Sequence, residues 1–169
     1  NYELINTLQG HTSGVSSIIQ FDDGSIISSS FDNIIIARNK NFKIKETLKE
    51  HTFGIFALAK LPHSAFASGS GDKTIKIWDS EFQVEKTLRG HNSSVSTLCL
   101  MKKSLLLASG SNDKTITLLE RYLTPKDKEL QTQLIGLIGD GKIDRVNSVL
   151  NKIYSGLGEN TYAEKLDVL

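Results

Sequence analysis

The chain repeats itself three times with a period of about 40 residues, and this repeat limits its fold more than any other feature. Three segments align without gaps: YELINTLQGHTSGVSSI, FKIKETLKEHTFGIFAL and FQVEKTLRGHNSSVSTL. Each segment carries one histidine at the same place: His11, His51 and His91. A second matching block follows each segment and carries one aspartate: Asp32, Asp72 and Asp113. Such a period is typical of proteins built from stacked copies of one small unit.

Within each unit the residue pattern is typical of short β-strands. β-Branched and aromatic residues come in short runs that are separated by Gly, Ser, Asp and Asn. Four such strands in about 40 residues form one blade of a β-propeller. The predicted strands of the middle unit are 55–59, 65–68, 74–78 and 84–88.

The middle unit carries three distinctive marks: His51 after its first turn, the letters SGSGD before its third strand, and IKIWD at the end of that strand. With these marks, residues 1–121 resemble blades of the WD-repeat (WD40) β-propeller family. The resemblance implies a hydrogen-bonded tetrad in the second unit, formed by His51, Ser68, Asp72 and Trp78. An imidazole, a hydroxyl, a carboxylate and an indole N–H can satisfy one another inside a blade.

The first and third units depart from this pattern. Arg38 and Leu119 stand where the second unit has Trp78. In the second unit itself, Glu50 replaces the glycine that precedes the histidine in the other two. Only the second unit can therefore hold the full tetrad, and we expect the first and third blades to be looser.

The predicted strand order leaves the ring of blades open. The chain begins with an outer strand, 3–8, and no fourth strand of the usual form follows Leu119. Three blades cannot close a propeller, which needs about four to eight. Because position 1 is Asn rather than Met, we interpret the sequence as a piece of a longer one. The alternative is that blades of another copy complete the ring, so further blades from the same or another chain are expected partners.

The period of the apolar residues changes after the third unit. Thr124 and Pro125 form a helix start, and Leu130, Leu134 and Leu137 fall on one face of the helix that follows. The pattern predicts a helical tail or the start of a helical domain over 124–169. The predicted fold is therefore mainly β, with three propeller blades followed by a small α-helical segment.

Composition excludes several classes of protein. The formal net charge of +1 gives no strong field for nucleic acid or for an anionic membrane surface. The apolar runs are too short for a membrane span, and no signal peptide opens the sequence. The single cysteine, Cys99, cannot form an internal disulfide, which favours a reducing, cytoplasmic location. Because Cys99 alternates with leucines on a predicted strand, we expect it to be a small core residue.

The polar motifs do not form a catalytic pattern. The three repeated histidines occupy one structural position in three different blades, so they cannot converge on one metal ion or one substrate. The repeated SGS and SSS letters lack the lysine and the following helix of a phosphate-binding loop. We expect a chain without catalytic, metal or cofactor-binding residues.

The surface offers the candidate functional residues. By the resemblance, propellers bind partners on the face formed by the loops between blades and the turns before the third strands. Aromatic residues are common anchors of such interfaces, so Phe31 and Phe56 are predicted to form one patch, with Phe53 a weaker candidate. The alternative is that both rings are buried between blades. Candidate positions in the turns are Phe31, Gly71 and Asn112, and those facing the central channel are Ser16, Phe56 and Ser96.

The sequence therefore predicts a protein-interaction scaffold or adaptor that binds a peptide or protein partner on the propeller face. One alternative is the substrate-recruiting part of a larger enzyme, such as a ubiquitin ligase or a kinase-containing protein, whose catalytic domain lies elsewhere. Another is a structural role in which the helical tail drives assembly of a complex.

Overall fold

The computed structural model describes residues 2–101 and 106–119 of the chain. Within them the chain forms three antiparallel sheets, each made of strands that follow one another in sequence. Blade 1 contains β1 Val15–Gln20, β2 Ile26–Ser30, β3 Ile35–Arg38 and β4 Ile44–Leu48. Blade 2 contains β5 Ile55–Lys60, β6 Phe66–Ser70, β7 Ile75–Trp78 and β8 Val84–Leu88. Blade 3 contains β9 Val95–Met101, β10 Leu106–Ser111 and β11 Ile116–Leu119.

The observed strands of blade 2 agree with the prediction to within two residues at each end. The turns between its strands are closed locally. Lys73 adopts a left-handed conformation (φ 70°) after Asp72, and its N–H donates to the carbonyl of Ser70 at 3.1 Å. Asn33 and Lys114 take the same conformation in the other blades. Equal turns at equal places explain why the three units fold alike.

The predicted outer strand 3–8 is wrong as a strand. The described residues 2–14 contain none. In blades 1 and 2, the outer strands β4 and β8 form because each pairs with the strand before it in the same sheet, β3 or β7. No blade precedes residues 3–8 in the described part of the chain, so this segment lacks a strand edge to pair with.

The apolar core lies between the blades rather than within them. Each blade has a leading face, turned toward the blade before it in sequence, and a trailing face, turned toward the blade after it. The trailing face of blade 1 and the leading face of blade 2 share one apolar cluster, which includes Ile35, Ala37, Ile55 and Trp78. Blades 2 and 3 share a second cluster, which includes Ala59, Ile75 and Val95. Burial of these faces is the main apolar stabilisation of the stack.

The approach between blades 2 and 3 is close. A Cβ placed on Gly69 of β6 would lie 2.7 Å from Cγ1 of Val95. A larger residue at position 69 would therefore push the two blades apart, because the short, branched side chain of Val95 cannot move aside.

The prediction that Cys99 is a core residue is wrong, since its side chain is exposed. Its equivalent in blade 2, Ala59, is buried against blade 3. Cys99 occupies the same place on the trailing face of blade 3, which no further blade covers in the described residues. Cys99 does lie on a strand, β9, as predicted. It is exposed because no blade covers that face of blade 3 in the described residues.

The predicted helical segment 124–169 lies outside the described residues, which contain strands and turns but no helix. The described part of the chain likewise holds no helix long and apolar enough to cross a membrane.

Candidate functional site

The antiparallel order of the strands brings corresponding loops of all three blades to one end of the stack. We call it the histidine end. It comprises the residues just before each first strand and the turn between each second and third strand. In every blade the two are joined by a backbone hydrogen bond: Phe31 N–H to Gly14 at 3.1 Å, Gly71 N–H to Gly54 at 2.8 Å, and Asn112 N–H to Ser94 at 3.0 Å.

A histidine, an aspartate and a serine are hydrogen-bonded to one another in each blade. In blade 2, Nδ1 of His51 is 2.7 Å from Oδ2 of Asp72, and its Nε2 is 2.7 Å from Oγ of Ser68. The corresponding distances are both 3.0 Å in blade 1 and both 2.9 Å in blade 3. These two sets are His11, Asp32 and Ser28, and His91, Asp113 and Ser109.

Blade 2 adds the fourth member. Nε1–H of Trp78 donates to Oγ of Ser68 at 2.8 Å, which leaves the serine hydrogen free for Nε2 of His51. Each group then donates to the next: the indole of Trp78 to the hydroxyl of Ser68, the hydroxyl to Nε2 of His51, and Nδ1–H of His51 to the carboxylate of Asp72. In this arrangement the histidine is neutral and the aspartate is ionised. The Trp78 ring stacks on Phe66 at 5.5 Å between centroids, with 3° between the planes. The indole thus joins this polar network to the apolar core.

Blade 1 uses the equivalent position differently. Arg38 is buried, and its guanidinium donates to backbone carbonyls. Its Nη1 donates to the carbonyl of Phe42 at 2.9 Å, and its Nη2 donates to the carbonyl of Gln9. Leu119 in blade 3 has no polar group to offer. The His–Asp–Ser bonds nevertheless form in both blades, so they do not require the tryptophan.

The His–Asp–Ser geometry matches the order of contacts in a nucleophilic triad. The serine hydroxyls are not placed for that chemistry, because Ser28, Ser68 and Ser109 are all buried. In blade 2 the hydroxyl also accepts a hydrogen bond from the indole N–H of Trp78. This arrangement holds loops to strands rather than exposing a nucleophile.

Burial and hydrogen bonding set the protonation states in blade 2. Burial lowers the pKa of His51 below its ordinary value, and the neighbouring Asp72 only partly opposes this. For Asp72, burial alone would raise the carboxyl pKa, but hydrogen bonds from Thr74 and His51 outweigh it and the pKa is lowered. Both shifts favour neutral imidazole beside ionised carboxylate near neutral pH.

These shifts predict acid destabilisation. As the pH falls below the ordinary histidine value, unfolded chains take up a proton that the folded His51 resists, so the free energy of unfolding decreases. A second loss begins below the ordinary aspartate value, where unfolded Asp72 protonates first. Urea unfolding between about pH 7 and pH 5 should show the first loss, and a His51→Gln variant should show a shallower slope there. Equal slopes for the two proteins would contradict the assignment.

Phe31 and Phe56 are brought together at the histidine end. Their ring centroids are 5.3 Å apart and meet edge to face at 60°. The Phe31 ring, 48% exposed, projects from the turn of blade 1 and lies against Gly14 and Gly54. Phe56, on blade 2, is half-buried. It is the extra residue of a β-bulge in β5, which turns its side chain out of the regular alternation.

Phe53 lies at the same end, on the other side of Gly54. Its ring covers Gly71, where an added Cβ would come within 2.3 Å of the ring. Gly71 therefore contributes space rather than a contact group, and it lets an exposed aromatic side chain lie flat on the turn. We call Phe31, Phe53 and Phe56 the aromatic patch.

The remaining candidate residues do not join the aromatic patch. Oγ of Ser16 donates to the carbonyl of Ile55 at 2.6 Å and lies 2.9 Å from Oγ of Ser29, so it binds blade 1 to blade 2. Ser96 is exposed, and its Oγ donates to the carbonyl of Gly110 at 3.2 Å. Asn112 is exposed in the turn of blade 3.

Sequence reasoning missed two features, of which only the first had a signal in the sequence. The His–Ser–Asp spacing in blade 1 equals that in blade 2, which was enough to predict the bonds of His11 without a tryptophan. The role of Arg38 had no such signal, because its partners are backbone carbonyls.

Antiparallel four-stranded sheets that bury their faces on one another define the β-propeller class. The family profile described as WD domain, G-beta repeat matches residues 2–36, 42–79 and 82–118. The chain therefore belongs to the WD40 repeat family. Domains of this family generally act as protein-interaction scaffolds. No curated protein sequence matches the chain significantly.

Among solved structures, the chain is similar to one titled "Crystal structure of WD40 beta propeller domain of Doa1". The TM-score is 0.61 and the sequence identity 22%, with 66% of this chain and 38% of that chain covered. This similarity supports the fold. The chain spans well under half the length of that solved domain.

Proposed function

We propose that this chain is an adaptor whose aromatic patch binds a peptide or an exposed loop of a protein partner. The observation that carries the proposal is the exposure of Phe31 and Phe53 on neighbouring blades at one end of the stack. A reducing, cytoplasmic setting belongs to the same proposal and is supported by the single cysteine of the chain.

The aromatic patch is rigid, which favours binding. The turn carrying Phe31 is fixed by the bond from its N–H to Gly14, and the ring is held between two glycines and Phe56. The loop carrying Phe53 is fixed because the backbone carbonyls of Phe53 and Gly54 both accept a hydrogen bond from the hydroxyl of Ser70. Rings that are already ordered lose little conformational entropy when a partner covers them.

The composition around the aromatic patch indicates an apolar or mixed partner segment. Gly14 and Gly54 lie against Phe31 and Gly71 lies against Phe53, so none of the three places a side chain beside the rings, and Thr52, which precedes Phe53, is exposed. An extended peptide could contact both exposed rings, since Gly54, which follows Phe53 in the chain, lies against Phe31.

The test uses peptides selected from a displayed random library against the folded chain and then titrated individually. The variant Phe31→Ala with Phe53→Ala should bind them at least about tenfold more weakly, since each aromatic anchor contributes about 2 kcal/mol. Thermal melting should change little, because both rings are exposed. Fluorescence anisotropy with labelled peptides gives the dissociation constants.

Phe42 provides the matched control. Its side chain is 40% exposed, close to that of Phe31, but it lies in the turn between β3 and β4 at the opposite end of blade 1. Phe42→Ala should leave peptide binding unchanged. Equal weakening by both variants, or a large fall in melting temperature for the double variant, would refute the aromatic patch as the binding site.

A further inference from the structure

The surface chemistry of the histidine end changes from blade 1 to blade 3. In the turn of blade 1 the ring of Phe31 is exposed, and Asn33 stands where the other two blades carry a lysine. In blade 2 the ring of Phe53 covers Gly71, and Lys73 follows in the same turn. Blade 2 therefore places an aromatic ring and a cation on one turn.

Blade 3 keeps the cation and lacks the aromatic ring. Ser93 stands at the place of Phe53, and Asn112 stands at the place of Phe31. Lys114 follows its aspartate as Lys73 does in blade 2. The histidine end is thus apolar at blades 1 and 2 and basic at blades 2 and 3.

The two lysines are held in equivalent, accessible positions. Lys73 and Lys114 have φ angles of 70° and 71°. Their N–H groups donate to the carbonyls of Ser70 and Ser111, both at 3.1 Å. Both residues are exposed, and neither ammonium group forms an ion pair with a described residue. Their charges are therefore available to a partner on two blades that pack directly against each other.

The aspartates of the histidine end do not balance these charges at the surface. They are the partners of the repeated histidines: Asp32, Asp72 and Asp113. Their side chains are at most 10% exposed, and each carboxylate accepts bonds from two backbone N–H groups. The loops that lead to the histidines add three exposed charged residues, Lys49, Glu50 and Arg89. Basic side chains therefore outnumber acidic ones on the exposed surface of this end.

We propose that the segment bound at the aromatic patch is acidic on one side of its apolar anchor, which rests on the proposed function of that patch. The apolar side chain contacts Phe31 and Phe53, and the aspartate or glutamate side chains beyond it lie over Lys73 and Lys114. The segment crosses the blades in the order 1, 2, 3, because the surface changes from apolar to basic in that direction. Complementary charge of this kind selects between partners that share an apolar anchor.

Three displayed peptide libraries serve as probes. Each has four random positions beside four fixed ones, which are all aspartate, all serine or all lysine, in both chain orders. The strongest binder is then made as labelled peptides with each of the three fixed blocks, so that the compared peptides differ in that block alone. At about 50 mM salt the aspartate peptide should bind at least about fivefold more tightly than the serine peptide, and the lysine peptide should bind most weakly. At about 500 mM salt the difference should fall below about twofold, because the charges are screened.

Variants of the two lysines assign the preference to this end. Lys73→Glu with Lys114→Glu should make the lysine peptide bind more tightly than the aspartate peptide, whereas Lys73→Gln with Lys114→Gln should abolish the preference. Lys40→Glu with Lys43→Glu is the matched control, since these exposed lysines lie in the turn between β3 and β4 at the opposite end of blade 1. It changes the net charge equally and should retain the preference for aspartate.

Three outcomes would overturn the proposal. Equal binding of the aspartate and serine peptides, with both weakened by Phe31→Ala with Phe53→Ala, would reject an acidic partner and leave the aromatic patch as the binding site. The absence of binders in all three libraries, or binding that the phenylalanine variant does not change, would reject both proposals. A labelled single-stranded oligonucleotide that binds as tightly as the aspartate peptide would assign the rings and lysines to nucleic acid instead.

Discussion

Replacing Trp78 by alanine is expected to lower the free energy of unfolding by about 3–5 kcal/mol, the largest loss we expect from a single substitution in the described blades. The indole is fully buried, stacks on Phe66 and belongs to the apolar cluster between blades 1 and 2. Its removal leaves a cavity and deprives the buried hydroxyl of Ser68 of a donor. Urea unfolding followed by circular dichroism gives the loss directly.

Two further variants separate the causes of that loss. Trp78→Phe keeps part of the apolar contact but loses the N–H donor and some buried volume, so it should cost less than Trp78→Ala, about 1–3 kcal/mol. Leu119→Ala removes the equivalent side chain of blade 3, which is only half-buried, and should cost less than Trp78→Ala. A loss at Trp78 no larger than that at Leu119 would refute the stabilising role given to the indole.

Asp72→Ala is expected to destabilise the protein more than Asp32→Ala, with losses in the range of about 1–3 kcal/mol. Both carboxylates accept bonds from a histidine and from two backbone N–H groups. Asp72 also accepts the hydroxyl of Thr74 at 2.6 Å, whereas Ile34 offers no hydroxyl to Asp32. Loss of Asp72 also deprives Nδ1 of His51 of its acceptor, and His51 is the residue that joins Asp72 to Ser68.

The comparison is made by urea unfolding of both variants at the same neutral pH. Asp72→Asn serves as a control, since one side-chain oxygen remains to accept a hydrogen bond while the charge is removed, and its loss should be smaller than that of Asp72→Ala. Equal losses for Asp72→Ala and Asp32→Ala would contradict the greater weight placed on blade 2.

Much of the fold was predictable because each blade is specified locally. The short β-rich runs and the Asp-containing turns recur every 40 residues or so, so the strands predicted for the middle unit could be placed in the other two units as well. The positions of His51, Ser68, Asp72 and Trp78 followed from resemblance, and the structure brings these four side chains within hydrogen-bonding distance. Local pattern is sufficient where neighbouring strands of one sheet supply the partners.

Tertiary structure alone decided what depends on the neighbouring blade. Cys99 and Ala59 occupy the same place on their strands, yet only Ala59 is buried, because blade 2 is followed by another blade in the described residues and blade 3 is not. Residues 3–8 have the sequence of a strand but no edge to pair with. The contact of Phe31 with Phe56 joins two blades. The sequence by itself determined the blade, whereas burial, pairing and aromatic contacts between blades depended on which surfaces meet in three dimensions.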